Sequence, residues 1–193
     1  SSIYGAYPFE AVGAIVDRAP SVGYALETQT KPVFAWMPDE ATLAHELAHQ
    51  WFGDSVTLAQ WPDIWLNEGF ATWSEWMWSE HSGGPTAHET FAKVYATAAG
   101  KQWLWKVPPA APGTPEVLFG DAEYERGALC LQALRERVGD TVFFSIMRTW
   151  AQDHQYGNVT TPQFIALAEQ QSGLDLGAFF QSWLYTSGKP SSW

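Results

Sequence analysis

Two histidines four residues apart, His45-Glu46-Leu47-Ala48-His49, with a further glutamate, Glu68, after eighteen intervening residues, constrain this chain most. On a helix, side chains four apart lie one above the other, so His45 and His49 project the same way and can share one ion. Glu46 sits roughly 100° around that helix and can reach a water on the ion without being a ligand. Two imidazoles and the Glu68 carboxylate leave a fourth tetrahedral position open, as a hydrolytic zinc centre requires. The opposing interpretation is a surface helix with solvated histidines. Against it, Leu43, Leu47 and Trp51 repeat every four residues and form the expected apolar stripe, with His45 and His49 on a different face.

At 193 residues the chain is long enough for one well-buried domain, and 46% hydrophobic residues with 12 tryptophans argue for a packed core. Twenty-one acidic against 10 basic residues give a net charge of -11, which disfavours nucleic acid or an anionic membrane as partner. The same balance suits a cationic ligand such as a free peptide amino terminus. Cys130, the only cysteine, lies in an apolar run and reads as a core thiol. No stretch is long and apolar enough to span a bilayer, and no signal peptide is visible. A soluble, cytoplasmic chain is favoured over a secreted one. The start at Ser1-Ser2 without methionine is consistent with a piece of a longer polypeptide.

Val12 to Val16 and Tyr24 to Gln29 read as strands, with Pro20 and Pro32 as breaks. Asp39 caps a first helix over residues 39 to 52, stopped at Gly53, and residues 54 to 62 form a loop. A second helix runs from about Asp63 to Ser82, with Phe70, Trp73 and Met77 on one side. Thr86 and Glu89 form a capping box for a third helix toward Ala99, which leaves His88, like His81, at the surface and a poor metal candidate. The prolines at 108, 109, 112 and 115 mark a loop along a cleft rim. Helices follow at about 121 to 138, 140 to 154, 161 to 171 and 175 to 185. A small β portion, residues 1–37, and a mainly helical remainder, residues 38–193, make an α+β domain. Glu75, two turns beyond Glu68 on the same helical face, is either a carboxylate that orients a metal-bound histidine or a solvated one.

The blocks HELAHQWFGDSVT and WPDIWLNEGFAT, followed by Tyr124-Glu125-Arg126-Gly127-Ala128, resemble the aminopeptidase N family of gluzincin zinc metallopeptidases. The resemblance covers roughly residues 22 to 130. It implies a thermolysin-like catalytic domain holding one zinc ion on His45, His49 and Glu68, with Glu46 as base. Tyr124 matches the tyrosine of the family's YExGA block and is expected to donate a hydroxyl to the oxyanion. Tyr24-Ala25-Leu26-Glu27-Thr28 stands where the family has GxMEN, whose glutamate binds a substrate's free α-amine. Glu27 is kept, whereas the first glycine, the methionine and the asparagine are not. The implied activity is removal of amino-terminal residues from peptides. An endopeptidase, a bifunctional hydrolase on the same metal, or a non-catalytic fragment that retains zinc are the alternatives. The family's amino-terminal β-sandwich domain is absent from these 193 residues, so residues 1–193 read as a single catalytic domain taken from a longer chain, with that domain as its partner.

Overall fold

The computed structural model describes residues 3–19, 21–97 and 102–191. Its organising element is helix α2 (Trp65–His81), in which Trp65, Phe70 and Trp73 are wholly buried and the polar Asn67, Glu68, Thr72 and Ser74 are buried too. The expected one-sided stripe is therefore part of a helix enclosed on nearly every side along its first three turns, as a helix at the centre of a core must be. Helix α1 (Glu40–Ala48) packs on one side of α2, and α5 (Gly127–Val138) packs on another. Helices α3 (Ala87–Thr97), α4 (Gln102–Lys106), α6 (Asp140–Asp153), α7 (Thr161–Ser172) and α8 (Gly177–Phe180) complete the helical body. Phe164 of α7 meets Trp65, Phe70 and Trp150 edge-on, which links α2, α6 and α7 through aromatic contacts.

Asp39 caps α1, its Oδ1 accepting from the Thr42 N–H at 2.8 Å. Regular helix ends at Ala48 rather than at residue 52, because the chain tightens there: Gln50 and Trp51 donate to carbonyls only three residues back. Gly53, at φ +139°, then turns the chain away. The stripe Leu43–Leu47–Trp51 is not the buried face. Leu43 is 37% exposed, while His45, Ala48 and His49 are buried. The helix turns its histidine side inward because the facing surface of α2 carries Glu68 and Glu75, which bind those histidines.

Three two-residue strands, β1 (Ile15–Val16), β2 (Ala25–Leu26) and β3 (Val33–Phe34), form a sheet ordered β1-β3-β2. β3 pairs parallel with β1 and antiparallel with β2. These ladders are shorter than the runs expected from residues 12 to 16 and 24 to 29, and β3 was not expected at all; Pro20 lies outside the described residues, as does Ala99. A second, parallel pair joins β4 (Val56–Leu58) to β5 (Gly157–Val159), within the expected loop and a hundred residues apart. Three-residue strands carry too little alternation to read locally. The helix expected from residue 121 opens with one π-helical turn, Ala122–Arg126, and that expected over 175 to 185 divides into α8 and a second π turn, Gln181–Tyr185.

Arg126 holds the first π turn in place. Its guanidinium is buried and donates to the carbonyls of Trp105, Val107, Ser182 and Thr186, tying α4 and the carboxy-terminal turn to α5. Cys130 is buried in the core, and burial pushes its thiol up. Among the described residues, no helix is long and apolar enough to cross a membrane.

Candidate metal centre

His45 and His49 leave α1 toward Glu68 on α2, and each imidazole Nε2 lies 3.4 Å from Glu68 Oε2. The outer nitrogens are occupied. His45 Nδ1 faces Glu75 Oε1 at 2.7 Å, and His49 Nδ1 faces the Phe52 carbonyl at 3.0 Å. A carboxylate and a carbonyl accept only, so both Nδ1 atoms carry the proton. Two imidazole lone pairs then point at a carboxylate inside a buried site, an arrangement that needs a cation between them. Burial pulls His45 down, but the hydrogen bonds to Glu68 and Glu75 outweigh it and raise the group to about 10. Burial likewise opposes the charge on Glu68, yet the two histidines hold it down at about 2. The donor set, its burial and its pinned outer nitrogens fit a tetrahedral metal with one position open.

Glu46 lies beside this cluster, its Oε2 buried and without a hydrogen-bond partner. Burial raises its pKa, the two histidines pull it back, and Glu27 and Glu68 push it up again. Glu27, at the end of β2, has a carboxylate oxygen that falls within 4.8 Å of ligand-type atoms of both Glu46 and His49. Tyr124 sits in the π turn, its ring stacked on His45 with centroids 5.9 Å apart and planes 12° from parallel. Burial first, then the charge of Glu68 and a hydrogen bond to it, push the phenol up. His88 is exposed and bound to Glu136, and neither it nor His81 joins a metal-capable group among the described residues.

A cleft of about 910 Å³ runs over this floor, with Tyr24 and Glu27 on one wall, Glu68 and Tyr124 at the base, and Trp61 and Phe119 at the mouth. Trp61 and Phe119 meet edge-on, 60% and 61% exposed; Trp61 opens the WPDIWLNEGFAT block and Phe119 ends the proline-rich tract, but nothing in the sequence brings the two together. Asp54 and Gln50 also belong to the neighbourhood. Burial raises Asp54 to about 7; the residue lies within the block HELAHQWFGDSVT, but nothing in the sequence shows that it is buried.

Glu123, next to Tyr124, is buried, and burial outweighs the backbone N–H groups of Glu123 and Gly120 that pull its carboxyl down, pushing it up to about 7. A folded pKa above the unfolded one means the native chain binds the proton more tightly. Stability is therefore lost as pH rises from the ordinary carboxylate range through about 7. Glu123→Gln is expected to melt above the native chain at pH 8 and level with it at pH 4, as thermal unfolding at the two pH values would show.

The model for the peptidase family M1 domain matches residues 38–183. An aminopeptidase N of Streptomyces lividans is 32% identical over 96% of this chain and 22% of its own length. One from Lactococcus lactis subsp. cremoris is 33% identical over 77% of this chain and 18% of its own. The chain thus spans about a fifth of the length of these curated relatives. An M1 zinc metallopeptidase from Deinococcus radiodurans superposes with a TM-score of 0.87 and 35% identity, over 98% of this chain and 42% of that one. A mutant of the Deinococcus enzyme has been crystallised with a Tyr-Ser-Ala substrate.

Proposed function

The chain belongs to peptidase family M1, and from that membership we propose that it holds one zinc ion and removes amino-terminal residues from peptides. The observation that carries this is the meeting of His45 Nε2, His49 Nε2 and a Glu68 oxygen with both outer nitrogens already committed. His45, His49 and Glu68 are the proposed ligands, and Glu75 and the Phe52 carbonyl fix the two rings. When bound, zinc acts as a Lewis acid toward the scissile carbonyl and makes hydroxide accessible near neutral pH.

The rest falls to the chain's own groups. Glu46 takes the proton from the attacking water and passes it to the departing amine, so one carboxylate serves both halves of the reaction. Tyr124 donates its hydroxyl to the oxyanion that forms as the carbonyl is attacked. Glu27 accepts from the substrate's α-ammonium and sets how far the peptide enters. Its neighbour Glu46 adds to a negative surface that suits this cation. An amino-terminal β-sandwich domain is the proposed partner that completes the pocket.

The test is a panel of aminoacyl fluorogenic amides and their N-acetylated forms, run beside metal analysis. Cleavage confined to free amines, with one zinc per chain, is the expected result. Equal cleavage of acetylated substrates would favour an endopeptidase, and a chain that takes up no zinc would sink the reading. Tyr124→Phe is expected to lower turnover by about a hundredfold with zinc content unchanged. Normal turnover in that variant removes Tyr124 from the reaction.

A further inference from the structure

Gln50 follows His49 directly, yet its side chain points away from the proposed ligands and is fully buried. Its amide is used at both ends. Oε1 accepts from the Thr30 N–H at 2.7 Å and from the Tyr7 hydroxyl at 3.2 Å. Nε2 donates to Asp54 Oδ2 at 2.8 Å. The orientation is not free to invert, because the Thr30 N–H can only donate and so must face the amide oxygen.

Thr30 lies in the connection between β2 and β3, three residues after Glu27. That connection is tightly folded: Lys31 N–H donates to the Thr28 carbonyl at 3.1 Å, and the Thr28 hydroxyl donates to the Lys31 carbonyl. Thr30 itself sits at φ +66°, which a β-branched residue avoids unless its surroundings impose it. Gln50 imposes it from one side, and the Gly13 N–H, which donates to the Thr30 carbonyl at 2.8 Å, from the other. Glu27 itself stands beside Glu46 and His49, a carboxylate oxygen within 4.8 Å of ligand-type atoms of both.

We propose that Gln50 is a positioning residue for amine recognition: it clamps the β2–β3 connection to the end of the histidine helix and so holds Glu27 at the depth where a substrate's α-ammonium stops. One amide then couples the site's selectivity to its metal floor without touching substrate. The inference rests on the aminopeptidase reading of Glu27.

The test uses the zinc-loaded chain and the free and acetylated aminoacyl amides. Gln50→Met, which keeps volume and removes both hydrogen-bonding ends, is expected to raise KM for the free amide about tenfold, with kcat and zinc content held near native. In a Glu27→Ala background the same substitution is expected to add nothing further to KM, since a residue that acts through Glu27 has nothing left to act on. A native KM in Gln50→Met, an undiminished effect in the Glu27→Ala background, or loss of zinc in step with activity would each overturn the proposal; the last would mean that Gln50 serves His49 instead. Should Gln50→Met fail to fold, Gln50→Glu carries the test, since it keeps the acceptor toward Thr30 and loses the donor toward Asp54. Because the bond that holds the connection is kept, a KM near native supports the clamp, and a rise of about tenfold overturns it. If Glu27→Ala alone leaves the preference for free amines intact, the aminopeptidase reading fails and this inference falls with it.

Discussion

Glu46→Gln is expected to lower kcat by about three orders of magnitude while the chain keeps its zinc and its melting temperature. The substitution keeps shape and removes only the capacity to accept a proton. Glu46 is buried with Oε2 unpartnered, so turning that oxygen into an amide nitrogen breaks no hydrogen bond there. The folded chain already bears the cost of a carboxylate held away from water, which is why burial raises its pKa. A neutral amide relieves that cost, so stability holds or rises as activity falls. Glu46 must be ionised to take a proton, so kcat/KM declines on the acid side as that carboxylate is protonated, and the glutamine variant loses this limb. Steady-state kinetics across pH, with metal content measured on the same samples, checks both parts. A glutamine variant with native turnover would remove Glu46 from the chemistry.

What the sequence shows of this site is what lies within one turn of helix. His45 and His49 could be paired from their spacing because the α-helix imposes it, and Asp39 could be named as the cap for the same reason. Glu75 stood undecided between a solvated carboxylate and an orienting one, because its distance to His45 depends on how α1 packs on α2. The apolar stripe of α1 points to the wrong side of the helix as the buried one. A hydrophobic stripe points inward only when apolar surface decides the packing, and here the charged groups of α2 decide it. The pair β4–β5 and the π turn under Tyr124 were illegible for a different reason. Each exists through partners far away in the chain, β5 for the strand and the carbonyls on Arg126 for the turn.

Gly127→Ala is expected to destabilise the chain and lower turnover together, against the usual benefit of replacing a helical glycine by alanine. Both Gly127 and Gly69 are in helical backbone, so neither is needed for a positive φ. Close approach explains them. A Cβ on Gly127 would lie 2.9 Å from the Gly69 Cα, and one on Gly69 would lie 2.8 Å from the Gly127 Cα. The obstructing atoms are backbone on both sides, so no side chain can swing away and the two helices must separate. Glu68 immediately precedes Gly69, and Tyr124 stands one turn before Gly127. Separation at this crossing therefore draws the phenol away from the carboxylate it faces. A cost of about 1–3 kcal/mol, typical of overpacking, lowers the melting temperature by about 2–12 °C in a chain of this size. Turnover should fall toward the Tyr124→Phe level with zinc retained, because α1 and α2 stay together. Gly69→Ala should act in the same way, since its methyl group opens the same crossing. The double variant cannot recover either loss, because each new methyl group meets the other helix. Melting curves, zinc titration and kinetics on the three variants separate these outcomes, and a Gly127→Ala chain as stable and active as the native one would show that the crossing is not what seats Tyr124.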